Sequence, residues 1–318
     1  MNSDGVFVFN DITAENIKKI SQIQSVSAER RICEISDLAN SASLLTAQML
    51  SDGYDIYEIL SIISEGLFAP QPTVHDYCLN ENFRRLSSYL KMLSEYDKVV
   101  FTELFANMIS KKGIIISERD FLPTESGRET FTYVKNSLAD EAFDVFSQEF
   151  SDPRLKYSAS LTEAAKAVSS GEIEFALLPF EEKGGARISA VCELLFKEDL
   201  KINSVTPVFG FEGLADMKYA LVSKHFSVPH IKDDDDRYFE LRVRVDSSIS
   251  LSELLTASDA FGIALYRVNT IFFETEDGSA QYYSIVFRSE GKDFSLLLIY
   301  LTLFSGAYTP IGLYKNLE

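Results

Sequence analysis

The sequence predicts a mixed α+β and α/β fold in three parts. These are a helical region over residues 1–125, an open α/β lobe over 126–230 and a βαββαβ domain over 231–318. Three observations carry this reading. Apolar residues recur at the helical period through most of Asp11 to Lys112. Strand-like and helix-like patterns alternate from about Glu129 to Ser223, around a nearly continuous apolar run at Phe175–Leu178. From Tyr238 to the end the same signals take the order βαββαβ.

In the first region a helix opens near Ser27, with Ile32, Ile35, Leu38, Ala42, Leu45 and Met49 on its apolar side, and ends at Asp52-Gly53. Ile56 to Leu67 is a second helix, stopped before Pro70 and Pro72. Asn82 to Ile109 carries a third amphipathic stretch. The region reads as a packing or dimerisation element of unknown function.

In the lobe, Phe131–Val134 is a short strand, followed by a helix over Leu138–Phe150 and a strand over Leu155–Ser158. Ser160-Leu161-Thr162-Glu163 is a capping box, and the helix it opens ends at Gly171. Phe175–Leu178 then reads as an interior strand, Ile188–Leu200 as a helix and Ile202–Val208 as a strand. In the third region Phe239–Val245, Ile263–Phe273, Gln281–Arg288 and Tyr308–Tyr314 are strands, and Leu251–Phe261 and Phe294–Phe304 are helices. Glu276-Asp277-Gly278-Ser279 signals a hairpin. Pro310 places the last strand at an edge or a bulge. Asp233–Asp236 reads as a solvated linker.

A net charge of −18 argues against nucleic-acid and anionic-membrane partners, because both would be repelled. Cys33, Cys78 and Cys192 form no CxxC and read as buried apolar residues in a reducing compartment. His75, His225 and His230 have no zinc-ligand spacing, so neither a metal nor a cofactor is expected. The start of the chain lacks the pattern of a signal peptide, and Phe294–Phe304 is about half the ~20 residues that span a bilayer. A cytoplasmic location is the expectation. No G-x-G-x-x-G, Walker loop or G-x-S-x-G turn is present.

The stretch GEIEFALLPFEEKGGARISAV, residues 171–191, is the most informative. An apolar strand breaks at Pro179 and meets Glu181, Glu182 and Lys183. It then passes Gly184-Gly185 and Arg187 and enters a helix. Lys183, Arg187 and the helix start form an anion-favouring environment, so a small carboxylate or amino-acid ligand is the candidate. The plain alternative is a solvated turn with a flexible glycine pair.

Leu178-Pro179-Phe180-Glu181-Glu182-Lys183 resembles the Leu-Pro-Ile-Glu-Asn-Ser of prephenate dehydratases, and the region after Tyr238 resembles their ACT domain, down to Ile311-Gly312-Leu313-Tyr314. The resemblance covers roughly residues 129–318. It implies a lobe binding prephenate, with Glu181, Lys183, Gly184, Gly185, Arg187 and Lys218 as ligand-binding candidates, and an ACT pocket at Ile249, Ser250, Leu251 and Asn269. It also implies phenylalanine biosynthesis and a homodimer.

The departures point the other way. Where the family has Thr-Arg-Phe, this chain has Met217-Lys218-Tyr219, and a thioether cannot deliver a proton, so no catalytic residue is expected. Only Phe209–Ala215 stands where the family inserts a second lobe. Ile249 replaces a glycine at the ACT pocket and blocks close backbone approach. A helical chorismate mutase domain, which can be fused to related enzymes, needs an arginine and lysine constellation that residues 1–125 lack. The reading is a catalytically inactive relative acting in ligand binding, regulation or assembly. The alternative is an active prephenate dehydratase with a rebuilt site.

Overall fold

The computed structural model describes residues 11–68, 81–122, 124, 129–210, 216–226, 237–245, 249–275, 278–305 and 308–317. Cys78, Pro70, Pro72, His75, His230 and Asp233–Asp236 lie outside them.

The helical region contains α1 (Asp11–Ser51), α2 (Ile56–Phe68), α3 (Glu81–Lys91) and α4 (Glu95–Lys111). The first helix begins well before Ser27. It ends at Gly53, whose φ of 98° suits only glycine without strain. The expected third helix is two. Ser94 breaks it with a reciprocal cap, in which its hydroxyl accepts from the Asp97 N–H and the Asp97 carboxylate accepts from the Ser94 N–H, both at 3.3 Å. The apolar period runs on across that break, which is why the sequence reads as continuous.

The lobe contains β1 (Thr130–Val134), α5 (Ser137–Ser147), β2 (Arg154–Ser158), α6 (Leu161–Ser169), β3 (Phe175–Glu182), α7 (Ser189–Lys197), β4 (Lys201–Val208) and β5 (Met217–Ser223). The rest is β6 (Tyr238–Arg244), α8 (Leu251–Ala260), β7 (Ala264–Thr275), β8 (Gly278–Arg288), α9 (Ser295–Phe304) and β9 (Thr309–Asn316). The predicted βαββαβ order and the interior placement of β3 both hold.

The nine strands among the described residues form one sheet in the order β2-β1-β3-β5-β4-β9-β6-β8-β7, which crosses the expected boundary at residue 230. β1, β2 and β3 run parallel, and β5 lies antiparallel between β3 and β4. The junction is the parallel pairing of β4 with β9, where Ile202 lies opposite Gly312. A Cβ on Gly312 would sit 2.8 Å from Ile202 Cβ and 3.1 Å from Ile202 O, so the two backbones meet only because this residue has no side chain. β9 is therefore interior, not an edge. Pro310 fits there because the pairing with β6 shifts between Glu240 and Leu241.

Alternation along the strands sorts the two faces. In β3, Phe175 and Leu177 join the core under α5, while Ala176, Leu178 and Phe180 join the core under α6 and α7. In β6, Phe239, Leu241 and Val243 face α8 and α9, which α2 and α4 cover in turn. That sandwich explains the apolar run of α9. All its residues except Leu296 are buried, between sheet and helices, and no described helix is long and apolar enough to cross a membrane. Cys192 is buried as expected, but Cys33 is exposed on α1.

Gly312→Val is expected to force the β4–β9 junction apart and lower stability by about 1–3 kcal/mol. Urea denaturation checks this: a midpoint unchanged from the wild-type protein would contradict the close approach.

Candidate functional site

The site grows from the turn after β3. Gly184 and Gly185 have φ of 97° and 90°, so both occupy the left-handed region that disfavours side chains. The chain folds back tightly: the Gly185 N–H donates to Glu182 O at 3.0 Å and the Ile188 N–H to Phe180 O at 3.2 Å. Glu181 and Arg187 form an isolated bridge across this turn. The glycine pair is thus a tight reversal that sets Arg187 beside Glu181.

Glu181 is buried at 5% exposure and holds three cations. Arg267 Nη1 donates to its Oε2 at 2.6 Å, Lys218 Nζ lies 3.1 Å from its Oε1, and Arg187 Nε lies 3.7 Å from Oε2. Lys218 arrives because β5 pairs with β3 with Lys218 opposite Glu181. Arg267 comes from β7 and also donates to Gly185 O at 3.2 Å.

A second buried carboxylate, Glu240 on β6, continues the cluster. Its Oε2 accepts from Arg187 Nη2 at 3.0 Å and from the Tyr314 hydroxyl at 3.2 Å. Its Oε1 accepts from Ser284 Oγ at 2.9 Å. The Arg187 guanidinium lies 3.6 Å from the centre of the Phe180 ring. Next to it Arg242 is buried against Phe196 and Phe273, with Nη2 donating to Cys192 O at 3.4 Å.

Burial opposes charge on Glu181, but hydrogen bonds from Arg267 and Lys218 and the Arg187 charge outweigh it, and its pKa falls below the ordinary value. Burial likewise opposes charge on Arg187, and Glu240, Tyr314 and Glu181 outweigh that, raising its pKa. Tyr314 is held neutral by burial and by Glu240. Arg242 is pushed down by burial.

The predicted ligand-binding residues divide into three groups. Glu181, Arg187 and Lys218 come together, but on one another. Gly184 and Gly185 shape the turn. Lys183 is exposed and pairs with Asp216 at 2.9 Å. What remains beside them is an open depression of about 290 Å³ lined by Glu181 to Gly185, Pro207 to Phe209 and Asp216 to Lys218. No described residue of α1–α4 lines it, and Met217 lies half-buried against the core under α5.

The four residues expected to form an ACT pocket are not gathered into one. Ile249 is buried in the core beneath α8 and α9, and Leu251 packs against that core. Ser250 is the N-cap of α8, its hydroxyl accepting from the Glu253 N–H at 3.0 Å. Asn269 stands on β7, lining a cavity against α7 with Arg187. Sequence reasoning missed Glu240, Arg242, Arg267, Ser284 and Tyr314. Glu240 and Arg242 alternate with Phe239, Leu241 and Val243, a pattern that ordinarily marks a solvated face.

No protein-family model matches the sequence, and no curated protein matches it. Several solved structures do. Prephenate dehydratase from Streptococcus mutans is similar at 17% identity over 59% of this chain and 99% of its own, with a TM-score of 0.47. Prephenate dehydratase from Arthrobacter aurescens in complex with L-Phe is similar at 14% identity over 58% of this chain and 90% of its own, with a TM-score of 0.44. GqqA, described as a novel type of quorum quenching acylase, is similar at 17% identity over 59% of this chain and 96% of its own, with a TM-score of 0.43.

Glu181→Gln leaves three cations facing a neutral amide and is expected to cost about 3–5 kcal/mol. The depressed Glu181 pKa means its contribution is complete above the ordinary carboxylate value and is lost as pH falls from about 4 through the folded pKa. The variant should therefore have a shallower acid limb in a stability–pH series, whereas exposed Glu182→Gln should match wild type at every pH. Equal acid limbs in all three proteins would contradict this account.

Proposed function

We propose that this protein is a catalytically inactive relative of prephenate dehydratase that acts in small-ligand binding, regulation or assembly. One observation carries the reading: the cations placed for an anionic substrate, Lys218 and Arg187, are already occupied by Glu181 and Glu240. A substrate dicarboxylate would have to displace two buried carboxylates from their partners, at a cost of several kcal/mol each. Two further features agree with it. Met217 has no proton to give at the place of the family's threonine. The depression beside it is open to water, which weakens electrostatic stabilisation of a transition state. The C-terminal domain would serve as an ACT-like regulatory or assembly module in a homodimer. Its helices are covered by α2 and α4, so self-association falls to the edge strand β7, where Leu265 and Tyr266 are exposed.

Purified protein mixed with prephenate should form phenylpyruvate no faster than buffer, followed by ultraviolet absorbance. Met217→Thr should not change this, because the ion cluster and the open cleft remain. Turnover by either protein above background would overturn the reading. In sedimentation equilibrium the wild-type chain should be a dimer and Leu265→Lys largely a monomer, since a lysine on an edge strand opposes strand pairing. A dimer that survives Leu265→Lys would remove β7 from the interface.

A further inference from the structure

The sheet of described strands ends in β2 and β7, and only one of these edges is guarded. β2 is five residues long and carries Arg154 and Lys156, both exposed and each paired with a nearby carboxylate. Charge on a short edge strand deters pairing with another chain. β7 is twelve residues long, and Ala264–Phe273 holds no carboxylate, no lysine and no proline. Its one charge, Arg267, is committed to Glu181 at 2.6 Å. Two chains of net charge −18 repel, so contact is least opposed where each carries no free charge. β7 is such a place, and a second copy presents the same one.

The side chains of β7 match their own reversal. Val268 packs toward the helical core, so Thr270 and Phe272 share that face. Leu265 shares it too, since it lies opposite Phe287 of the same core. Leu265 and Phe272 are 44% and 64% exposed. The pairing of β7 with β8 shifts between Leu265 and Arg267, so Tyr266 is the extra residue of a bulge. Tyr266 turns to the face of α7, where its ring meets Tyr238 edge-on at 5.0 Å, and it is 47% exposed. On that face Asn269, Ile271 and Phe273 wall a cavity of about 410 Å³ against α7. A bulge ordinarily discourages a neighbour. This one leaves an aromatic projection beside a hollow on the same face of the same strand.

We propose that β7 pairs antiparallel with β7 of a second copy about a twofold axis at Asn269, so that Tyr266 of each chain closes the cavity beside Ile271 of the other. The inference rests on the homodimer reading above and gives that dimer its register and a shared site. Turned about Asn269, the strand sets Val268 opposite Thr270 and Arg267 opposite Ile271. The bulge then skips Tyr266, and Leu265 falls opposite Phe272. Each pair shares a face, and the two exposed apolar residues cover each other. Tyr266, next to Arg267, arrives over the second copy's cavity at Ile271. Neighbouring registers fit less well. Centring on Val268 puts Phe272 past the end of the facing strand, and centring on Thr270 sets Leu265 opposite Glu274.

Disulfide trapping of the full chain tests the register, in a background carrying Cys33→Ser and Cys78→Ser. Asn269→Cys should give a covalent dimer on mild oxidation, because facing residues of antiparallel strands hold their Cα atoms about 4.5–5.5 Å apart, within disulfide range. Leu265→Cys and Phe272→Cys should cross-link when mixed under reducing conditions and then oxidised, and neither should cross-link alone. Both positions are exposed, so this pair keeps the test valid if Asn269→Cys fails to fold. Tyr157→Cys, exposed on the guarded edge strand, should not cross-link. Tyr266→Ala should raise the dimer dissociation constant about ten-fold, as for an aromatic anchor lost from a pocket. Cross-linking of Leu265→Cys with itself, no cross-link from the mixed pair, or an unchanged dissociation constant for Tyr266→Ala would each overturn the proposal. In those cases a chain that still sediments as a dimer would leave the homodimer reading standing, whereas a monomer at every concentration would sink both.

Discussion

The junction between the lobe strands and the C-terminal strands depends on one close approach, the parallel pairing of β4 with β9 at Gly312. The lobe strands and the C-terminal strands share one sheet. The pairing brings the end of the lobe's β3 alongside β6 and β7 and lets α7 lie over the back of the C-terminal sheet. It is anchored past the strands as well, where Thr206 Oγ1 donates to Leu317 O at 3.2 Å. That junction places Glu240 of β6 and Arg267 of β7 beside Arg187 and Glu181.

The ion cluster that results is a specific device more than a strong one. Buried ion pairs recover their desolvation only when geometry and secondary hydrogen bonds are good, and an apolar replacement of the whole set is often no less stable. What such a cluster does well is penalise alternatives. Any shift of the C-terminal domain against the lobe separates Glu181 from Arg267 and Arg187 from Glu240 at once, and leaves each charge buried alone. The lobe and the C-terminal domain are thereby held in one register. Glu118 makes a smaller clamp of the same kind. It pairs with Arg237 at 2.6 Å and accepts from the Phe294 N–H at 2.7 Å, so a residue between α4 and β1 caps α9.

Much of the fold was legible in the sequence because alternation and helical period report local geometry directly. β3 read as interior from its apolar run, and the C-terminal order read correctly from its punctuation. Half of the site was legible too: Glu181, Gly184, Gly185, Arg187 and Lys218 were all singled out. Their purpose was not, because the other half comes from residues 240 to 314. Glu240 and Arg242 alternate with apolar neighbours as solvent-facing residues do, and only the long-range packing of α7 turns that face inward. Gly312 gave no local signal either, since its φ is unexceptional and the reason for it is a strand 110 residues away. The division of α3 from α4 was hidden for the opposite reason, because an unbroken apolar period masked a cap at Ser94.

The position of the helical region completes the argument about what the lobe can do. An open α/β lobe presents ligands with a crevice beyond the strand ends, and catalysis needs that crevice closed. Here α2 and α4 sit on α8 and α9, where they bury the apolar surface of α9 and where Lys98 pairs with Glu253 at 2.6 Å. Their apolar faces are committed to that packing, so they cannot also serve as a second wall for the depression at Met217 without exposing α9. The same commitment leaves the opposite face of the C-terminal sheet to α7, whose Phe196 stacks on Phe273 of β7 at 4.1 Å. Arg187 and Arg267 are thus enclosed between the lobe and the C-terminal strands, paired with Glu181 and Glu240.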